Sequence, residues 1–566
     1  MNFKVSLLLL AGMAPIPMSG AIPLVQEGAL PLIANRSPYP TDVASYISRL
    51  IRHSATGVAS FVTAAISTAD NSPPTYLSKS VVSREAAPAD DFESWLISQR
   101  DFAFKGILSS IGGYHNSTDL AGVAKGAIIA SPSRSHPDYF YQWTRDSAVT
   151  IGTLIDYLDD TGFDDAKYNI PEIIEAYIVN SKKLQRLSNP SGTFESLEGL
   201  GEPKFAVNST EFSGPWGRPQ RDGPALRAST VISYLNILRK YNKELVLKDE
   251  LIDEESIYHE VVKPDLSYVI RNWYKKGFDL WEEVNSVHLF TSLTQLKALK
   301  MGFQEALRFE DKTFYGNLTS SYAALRYFIL IDSGFRLNSI PYLIETPELL
   351  ATGERTGIDA GTIIGIIRTH TFNVDTQDDV EIPFNVDDPA SLNTLVALAN
   401  DMKYRYPINH HRLNLSSAFA LGRYPEDIYN GVDTSEGNPW FIATASAAEL
   451  IYKYIYSHYR YEKDLVIPIE LRQLFESITD LKIRNQTVLP FGSKAFADTV
   501  GALKRYADAY LAIIKEHAAR DGHMSEQFNR YTGFMVGARD LTWSYSSFWS
   551  ACRWRAKVAS IIHAQR

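Results

Sequence analysis

Apolar residues recur along this chain mainly with the period of an α-helix. Leu289, Leu293 and Leu296 begin a series that repeats every three or four positions, which places them on one helical face. Pro171 stands where a helix-starting proline belongs. Period-two runs of β-branched residues are rare by comparison. The pattern predicts an almost wholly helical domain, with further helices over 145–158, 224–241, 258–275, 391–404, 441–459, 498–519 and 541–563.

Three segments of the chain differ in composition. Lys4 precedes an apolar run over 5–13, and small residues follow it, which predicts a secretory signal peptide over 1–21. Residues 22–90 are rich in Ser, Thr, Ala and Pro, which is typical of a leader or a loosely attached arm. Amphipathic segments begin at Asp91 behind a predicted Asp cap. We therefore expect the folded domain to occupy 91–566.

Polar residues mixed with Trp, Tyr and Arg form six short segments, each just before a predicted helix or at its first turn. Their spacing leaves room for a helix, a return helix and two loops between one segment and the next. If all six open inward-facing helices, six helix pairs close into an (α/α)6 toroid whose loops form a pocket at one end. The alternative is a purely structural role, in which the Trp and Arg residues only cap helices and fill loops. The segments are 141–146, 216–222, 279–283, 355–359, 437–440 and 539–543.

Charge and cysteine content exclude several functional classes. The 566 residues include 56 Lys and Arg against 65 Asp and Glu, a net charge of −9, which argues against a nucleic-acid partner. After the signal peptide, no uncharged apolar run reaches the roughly 20 residues that span a bilayer, so we expect no membrane partner. Cys552 is the only cysteine, which excludes an intrachain disulfide and a zinc cluster. We expect a buried, unreactive thiol there, and a monomer.

Asn-x-Ser/Thr triplets agree with passage through a glycosylating compartment. The destination implied by a signal peptide is extracellular or vacuolar, and the sequence leaves both open. The candidate glycosylation sites are Asn35, Asn116, Asn208, Asn317, Asn414 and Asn485.

Two adjacent carboxylates beside an indole, Glu282 and Glu283 after Trp281, offer a way to raise a pKa. The indole limits solvation and the neighbouring charge disfavours a second ionisation, so a protonated acid can persist at neutral pH. Such a triplet is also typical of a surface helix start, so a catalytic role requires a second carboxylate. The candidates for it are Glu426, Asp427 and Glu526.

Arg-Asp pairs recur in three of the polar-aromatic segments, at 145/146, 221/222 and 539/540. A guanidinium beside a carboxylate suits the vicinal hydroxyls of a sugar, and adjacent aromatic faces suit its C–H surface. The alternative is an ion-pair network that joins loops. We find no phosphate-binding glycine loop, no HExxH and no GxSxG. We expect His288 to be a structural neighbour of the acidic segment. Together these features point to glycoside chemistry.

The polar-aromatic segments resemble, in order, the motifs of glycoside hydrolase family 15, the glucoamylases, and most closely the yeast type. The acidic motif is Gly277-Phe-Asp-Leu-Trp-Glu-Glu-Val-Asn-Ser286, and the similarity extends over about 91–566. The other matching segments lie at 137–146, 199–205, 216–227, 422–427, 437–440, 525–527 and 538–545.

This resemblance implies an (α/α)6 barrel and an exo-acting, inverting hydrolase that releases β-D-glucose from non-reducing ends of α-1,4-glucans. It assigns Glu282 as general acid and Glu526 as general base, with Tyr139 helping to hold the water. It implies support of the acid by Asp279 and a pocket-shaping role for Asp427. No metal or organic cofactor is expected. The implied substrate-binding residues are Tyr139, Arg145, Asp146, Trp216, Arg423, Lys204, Trp281, Glu283 and Trp440.

Two other functions remain open from the sequence. One is a related toroidal hydrolase or phosphorylase that acts on an α-glucoside such as trehalose. The other is a glucan-binding protein that has kept the pocket and lost turnover. We expect starch, glycogen or maltooligosaccharides as the substrate, and an inverting reaction requires about 6.5–9.5 Å between the two catalytic carboxyls.

Overall fold

The computed structural model describes residues 89–114, 120–165, 167–372 and 381–565. The predicted signal peptide and nearly all of the predicted leader lie outside the described residues. The first described helix begins at Ala89, just before the predicted boundary at Asp91.

Helices dominate the described residues. The longer ones are α1 (Ala89–Leu108), α2 (Thr144–Asp160), α3 (Ile170–Gln185), α4 (Gly223–Lys240), α7 (Lys263–Asn272), α8 (Leu289–Arg308), α9 (Lys312–Tyr327), α11 (Ala360–Thr369), α12 (Pro389–Arg405), α13 (Phe441–Arg460), α15 (Lys494–His517) and α16 (Thr542–Ala564). The shorter ones are α5 (Lys248–Leu251), α6 (Glu254–Ile257), α10 (Pro347–Thr352) and α14 (Arg472–Ile478).

Six of these helices form a closed inner ring. In order around the ring, α2 packs on α4, α4 on α8, α8 on α11, α11 on α13, α13 on α16, and α16 on α2. Each inner helix also carries an outer helix, in the pairs α2 with α3, α4 with α7, α8 with α9, α11 with α12, α13 with α15, and α16 with α1. This arrangement confirms the predicted (α/α)6 toroid.

Strands occur only as short antiparallel pairs within the described residues. β1 (Gln142–Trp143) pairs with β2 (Lys204–Phe205), and β3 (Gly277–Phe278) pairs with β4 (Asn285–Ser286). β5 (Leu465–Ile467) pairs with β6 (Thr487–Leu489), and β7 (Gln527–Phe528) pairs with β8 (Met535–Val536). Three of these pairs, β1 with β2, β3 with β4 and β7 with β8, contain or adjoin residues of the cavity described below.

Local sequence explains where many helices begin. Asp359 caps α11 by accepting the backbone N–H of Gly361 over 2.6 Å, and Ser493 caps α15 by accepting that of Phe496. Proline stands in the first turn of α3, α4 and α12, where the missing N–H is not needed. Five of the six polar-aromatic segments directly open an inner helix, as predicted. The segment at 279–283 instead forms the turn between β3 and β4, ahead of α8.

The predicted helix over 258–275 needs correction. The structure has a π-helical turn over Tyr258–Val262, followed by α7 from Lys263 to Asn272. Pro264 lacks the N–H that would continue a regular α-ladder, and the wider turn precedes it.

Apolar side chains from the inner and outer helices form one continuous core. In the described part of the chain, no helix is both long enough and apolar enough to cross a membrane.

Candidate active site

A cavity of about 300 Å³ opens at the end of the toroid where the inner helices begin. Arg145 and Asp146 reach it from the first turn of α2, Trp440 from the residue before α13, and Trp543 from the first turn of α16. Other residues in its wall include Tyr139, Trp143, Trp216, Trp281, Glu282, Glu283, Arg423, Tyr429 and Glu526. The structure therefore brings both predicted catalytic carboxylates into one cavity.

Glu282 lies in the turn between β3 and β4, with a left-handed backbone (φ 68°). The carboxylate of Asp279 accepts the backbone N–H groups of Glu283 and Val284 over 2.7 and 2.9 Å. Because these bonds close the turn, Asp279 holds the backbone that carries Glu282.

The carboxyl group of Glu282 receives hydrogen bonds from four side chains. Its Oε1 accepts from the indole of Trp143 over 2.7 Å, from the amide of Gln220 over 3.0 Å and from Arg145 over 3.3 Å. Its Oε2 accepts from the indole of Trp216 over 2.8 Å. The two oxygens therefore have unequal surroundings, with three donors at Oε1 and one at Oε2.

Glu526 immediately precedes β7 and is 1% exposed. Its Oε2 accepts from the hydroxyl of Tyr429 over 3.4 Å and from the amide of Gln527 over 3.3 Å. Tyr429 and Tyr139 are linked through their hydroxyls over 3.1 Å. Burial raises the pKa of Glu526 to about 8, although the charge of Arg423 and the tyrosine hydroxyls act in the opposite direction.

Gly537, which follows β8, leaves space for the Glu526 carboxylate. A Cβ at this position would lie 2.4 Å from Oε2 of Glu526, and φ is 73°. Only a residue without a side chain fits both the backbone and the close approach.

Arg145 and Asp146 present buried polar atoms to the cavity. Arg145 donates to Gln220 over 2.8 Å and to Asp222 over 3.1 Å. Its Nε and Oδ2 of Asp146 form an ion pair over 3.6 Å. Neither of these atoms, nor the indole nitrogen of Trp440, has a hydrogen-bond partner within the residues that the structure describes. Burial raises the pKa of Asp146 to about 6, against the opposing charge of Arg145. Such orphaned groups are costly unless a ligand satisfies them.

Glu283 belongs to a charged network beside the cavity. Its carboxylate accepts from Arg423 over 2.7 Å, from Arg355 over 3.0 Å, and from the hydroxyl of Tyr424. Arg423 also makes two bonds to Asp427. Burial acts to raise the pKa of Glu283, but the two guanidinium groups and the hydroxyl outweigh it, so this pKa lies below its usual value.

Comparison with known proteins decides the family. A family model described as glycosyl hydrolases family 15 matches residues 106–553. The chain belongs to glycoside hydrolase family 15. A glucoamylase of Saccharomycopsis fibuligera is 40% identical over 487 residues, which cover 83% of this chain and 92% of that protein. An intracellular sporulation-specific glucoamylase of Saccharomyces cerevisiae is 36% identical over 482 residues, covering 82% and 84%.

Solved structures of family 15 members have the same fold. A glucoamylase structure from Saccharomycopsis fibuligera aligns with a TM-score of 0.79 at 38% identity, covering 84% of this chain and 99% of that one. The family 15 glucoamylase from Hypocrea jecorina aligns with a TM-score of 0.71 at 31% identity, covering 82% and 73%. The predicted family and enzyme class, a glycoside hydrolase, are thereby confirmed.

Lys204 and Trp281, two residues predicted for the site, make their contacts through indole rings. The ammonium of Lys204 lies 3.5 Å from the ring centroid of Trp216 and 4.6 Å from that of Trp143, so it contacts the backs of rings that face the cavity. Burial lowers its pKa to about 8. The indole of Trp281 donates to Asp359 over 2.9 Å, which anchors the acidic turn to the start of α11.

Several residues that the sequence suggested as candidates or neighbours of the site lie outside the cavity wall. Glu426 accepts the backbone N–H of Thr356. Arg221 donates to Tyr268, and Arg539 is 66% exposed on its side chain. His288 is buried and lies within hydrogen-bond distance of the carbonyl oxygens of Gly277 and Val284, as expected for a structural neighbour.

Sequence reasoning did not single out Trp143, Gln220, Tyr424 and Tyr429. The first three stand within segments that were recognised, at 141–146, 216–222 and 422–427. Tyr429 lies between the motifs at 422–427 and 437–440, and nothing in the local pattern marks it. The thiol of Cys552 is buried, which raises its pKa to about 12 and makes it unreactive.

Proposed function

We propose that this family 15 hydrolase releases β-D-glucose from the non-reducing ends of α-1,4-glucans, with Glu282 as general acid and Glu526 as general base. The observation that carries the proposal is the cavity whose wall contains both carboxyls together with Arg145, Asp146 and Trp440, each of which has a buried polar atom with no hydrogen bond to a described residue. Relatives named glucoamylases, aligned over most of their length, support the same reaction.

The surroundings of Glu282 favour proton donation from Oε2. Oε1 already accepts three N–H groups, so the proton of the neutral acid resides on Oε2, which accepts only the indole of Trp216. When the proton moves to the glycosidic oxygen, Oε2 gains charge and its bond to Trp216 strengthens. Hydrogen bonds that strengthen as charge develops lower the barrier.

The surroundings of Glu526 suit a base that activates water. Its partners, Tyr429 and Gln527, differ from those of Glu282. Burial keeps its pKa above the usual range, so the carboxylate is a stronger proton acceptor than a solvated one. Tyr139, hydrogen-bonded to Tyr429, is placed to hold the water that Glu526 deprotonates in an inverting displacement.

The remaining groups recognise the terminal sugar. Nε of Arg145 and Oδ2 of Asp146 form an ion pair over 3.6 Å but no hydrogen bond, and they provide a donor and an acceptor for vicinal hydroxyls. The indoles of Trp143, Trp216 and Trp440 provide apolar faces for its C–H bonds. A volume of about 300 Å³ is at the small end for a ligand site, which favours the end of a glucan over its interior.

The cellular setting is part of the same proposal. We infer a glycoprotein of the secretory pathway, extracellular or vacuolar, because the predicted signal peptide occurs together with Asn-x-Ser/Thr triplets. We also infer that it is a monomer. Asn35 and Asn116 lie outside the described residues. The other four asparagines are exposed, namely Asn208, Asn317, Asn414 and Asn485.

The test is digestion of maltoheptaose by the full protein in phosphate-free buffer, with products separated by size. Glucose and maltohexaose as the first products support the proposal. Fragments cut from the interior of the chain contradict the exo mode. Turnover of trehalose but not maltoheptaose, or a requirement for phosphate, indicates the related toroidal enzyme, and binding without turnover indicates a silent glucan-binding protein.

A further inference from the structure

A second cavity, of about 470 Å³, lies at the end of the toroid where the inner helices finish. We call it the distal cavity. It is larger than the catalytic one, and all six inner helices contribute to its wall. Its charged residues include one from each inner helix in turn, namely Asp156, Lys240, Lys297, Arg368, Lys453 and Arg553.

Among the described residues of its wall, basic side chains outnumber acidic ones in the distal cavity. Its wall contains the carboxylates of Asp156, Asp159 and Glu449. Asp156 pairs with Arg553 over 3.0 Å, Asp159 with Lys240 over 2.7 Å and Glu449 with Lys453 over 3.0 Å. Asp160, which is not a wall residue, pairs with Arg553 over 2.7 Å and with Lys557 over 3.3 Å. The basic residues of the wall are Lys240, Lys297, Arg368, Lys453, Arg553 and Lys557. An anion is therefore the class of ligand that this cavity attracts.

Helix capping explains two of the lysines. Lys297 donates to the carbonyl oxygen of Thr369 over 3.1 Å, and Lys453 donates to that of His370 over 3.1 Å. Both carbonyls belong to the C-terminal end of α11, where cations are favourable. A structural role is thus sufficient for these ammonium groups, and they alone do not require a ligand.

Arg368 differs from the two lysines. Its Nε and Nη2 are buried and have no hydrogen-bond partner within the described residues, although its side chain lines the distal cavity. A buried donor that lacks an acceptor destabilises the fold, and a charged donor does so more strongly. The planar guanidinium suits the two-oxygen contact that a phosphate group provides.

Aromatic rings lie in the same wall. Trp554 packs edge-on against Tyr456 at 5.2 Å and against Phe372 at 5.7 Å between ring centroids. Aromatic faces of this kind contact the C–H surface of a sugar. The distal cavity thus combines donors for an oxyanion with an apolar surface and enough volume for more than the oxyanion alone.

We propose that the distal cavity binds a phosphate-bearing small molecule, either inorganic phosphate or a sugar phosphate, with Arg368 as its main ligand. Lys297 and Lys453, on the neighbouring inner helices, add positive charge around the phosphate. This site is separate from the catalytic cavity and does not depend on the reaction assigned to it.

Isothermal titration calorimetry of the full protein tests the proposal at constant ionic strength. Inorganic phosphate and glucose 6-phosphate are the probes, and glucose is the uncharged control. We expect saturable binding of a phosphate probe at one site, and no binding of glucose there. Arg368→Gln should weaken binding at least tenfold. Arg308→Gln, which alters an exposed arginine at the end of α8, should leave it unchanged.

The outcomes separate the sources of the phosphate group. Tighter binding of glucose 6-phosphate than of phosphate assigns a sugar phosphate, and equal constants assign the phosphate alone. If Arg368→Gln does not fold, Lys297→Gln on α8 provides the second variant, with the same expected weakening. Absence of saturable heat for both probes overturns the proposal. The proposal is also overturned if a folded variant binds the phosphate probes as tightly as the unchanged protein does. It is overturned as well if maltose, bound in the catalytic cavity, displaces the probes completely.

Discussion

The indole N–H of Trp216 donates to Oε2 of Glu282 over 2.8 Å. In the proposed mechanism this bond strengthens as the proton leaves Oε2 for the glycosidic oxygen, so it stabilises the transition state. The pair therefore links Trp216 to the proposed proton transfer.

Replacement of Trp216 by Phe should lower kcat about tenfold or more, because a hydrogen bond to a charged group is worth about 1.5–3 kcal/mol. Steady-state kinetics on maltoheptaose provide the measurement. Trp273→Phe, outside the catalytic wall, is the control, and an unchanged kcat in Trp216→Phe would contradict a role for this hydrogen bond in turnover.

Conversion of Glu282 or Glu526 to Gln should reduce turnover of maltoheptaose by about 10²–10⁴-fold, with the thermal unfolding transition retained. Each change removes a proton donor or acceptor while preserving side-chain volume. Glu426→Gln is the matched control, because Glu426 was a candidate from the sequence but lies outside the cavity wall. Near-normal activity in Glu282→Gln or Glu526→Gln would refute the role of that residue, as would a comparable loss in the control.

Tyr429→Phe should move the acidic limb of the pH–kcat/KM profile to higher pH. The Tyr429 hydroxyl donates to Glu526 over 3.4 Å and so favours the carboxylate form. Without it the pKa of Glu526 rises, and a base that must be ionised loses activity first at low pH. Tyr531→Phe, whose hydroxyl contacts Glu436 on the surface, should leave the limb in place. A shift towards lower pH would oppose the assignment of Glu526 as base.

Gly537→Ala should abolish most activity by displacing the Glu526 carboxylate, since the new Cβ would lie 2.4 Å from Oε2. Gly492→Ala is a close control, because Gly492 has the same φ of 73° and nothing within 4 Å of the added Cβ. Both variants carry a backbone cost of about 1–2 kcal/mol, visible as a lower Tm. Activity per folded molecule should fall only in Gly537→Ala, and equal activities would remove the steric argument.

The sequence was sufficient for helices whose apolar residues lie on one face. The helix predicted over 145–158 is α2, Thr144–Asp160, and the series from Leu289 is α8, Leu289–Arg308. By contrast, α11 was missed, because Ala360–Thr369 is buried on nearly every side and has no polar face to give it a period. The outer helix α9 was also missed, although its buried residues, Phe314, Leu318, Tyr322 and Leu325, follow the helical period. Thr, Ser, Gly and Asn, which are weaker helix formers, occupy many of the positions between them.

The site was predictable where chemistry is concentrated in short motifs. Glu282, Arg145 and Asp146 lie in segments whose residue types already indicate their environment. Tyr429 was not predictable, because its role arises only when the loop before α13 meets the hairpin that carries Glu526. The position of Lys204 behind Trp216 was not predictable either, because tertiary packing places its ammonium over the indole.

In the proposed mechanism, Glu526 activates water on the face of the sugar opposite to the bond protonated by Glu282. Proton NMR of the first product formed from maltoheptaose, recorded before mutarotation, distinguishes this inversion from retention. β-Glucose as the initial product, with α-glucose appearing only later, is the predicted result. α-Glucose as the initial product would contradict it, because retention requires a covalent intermediate that this assignment does not contain.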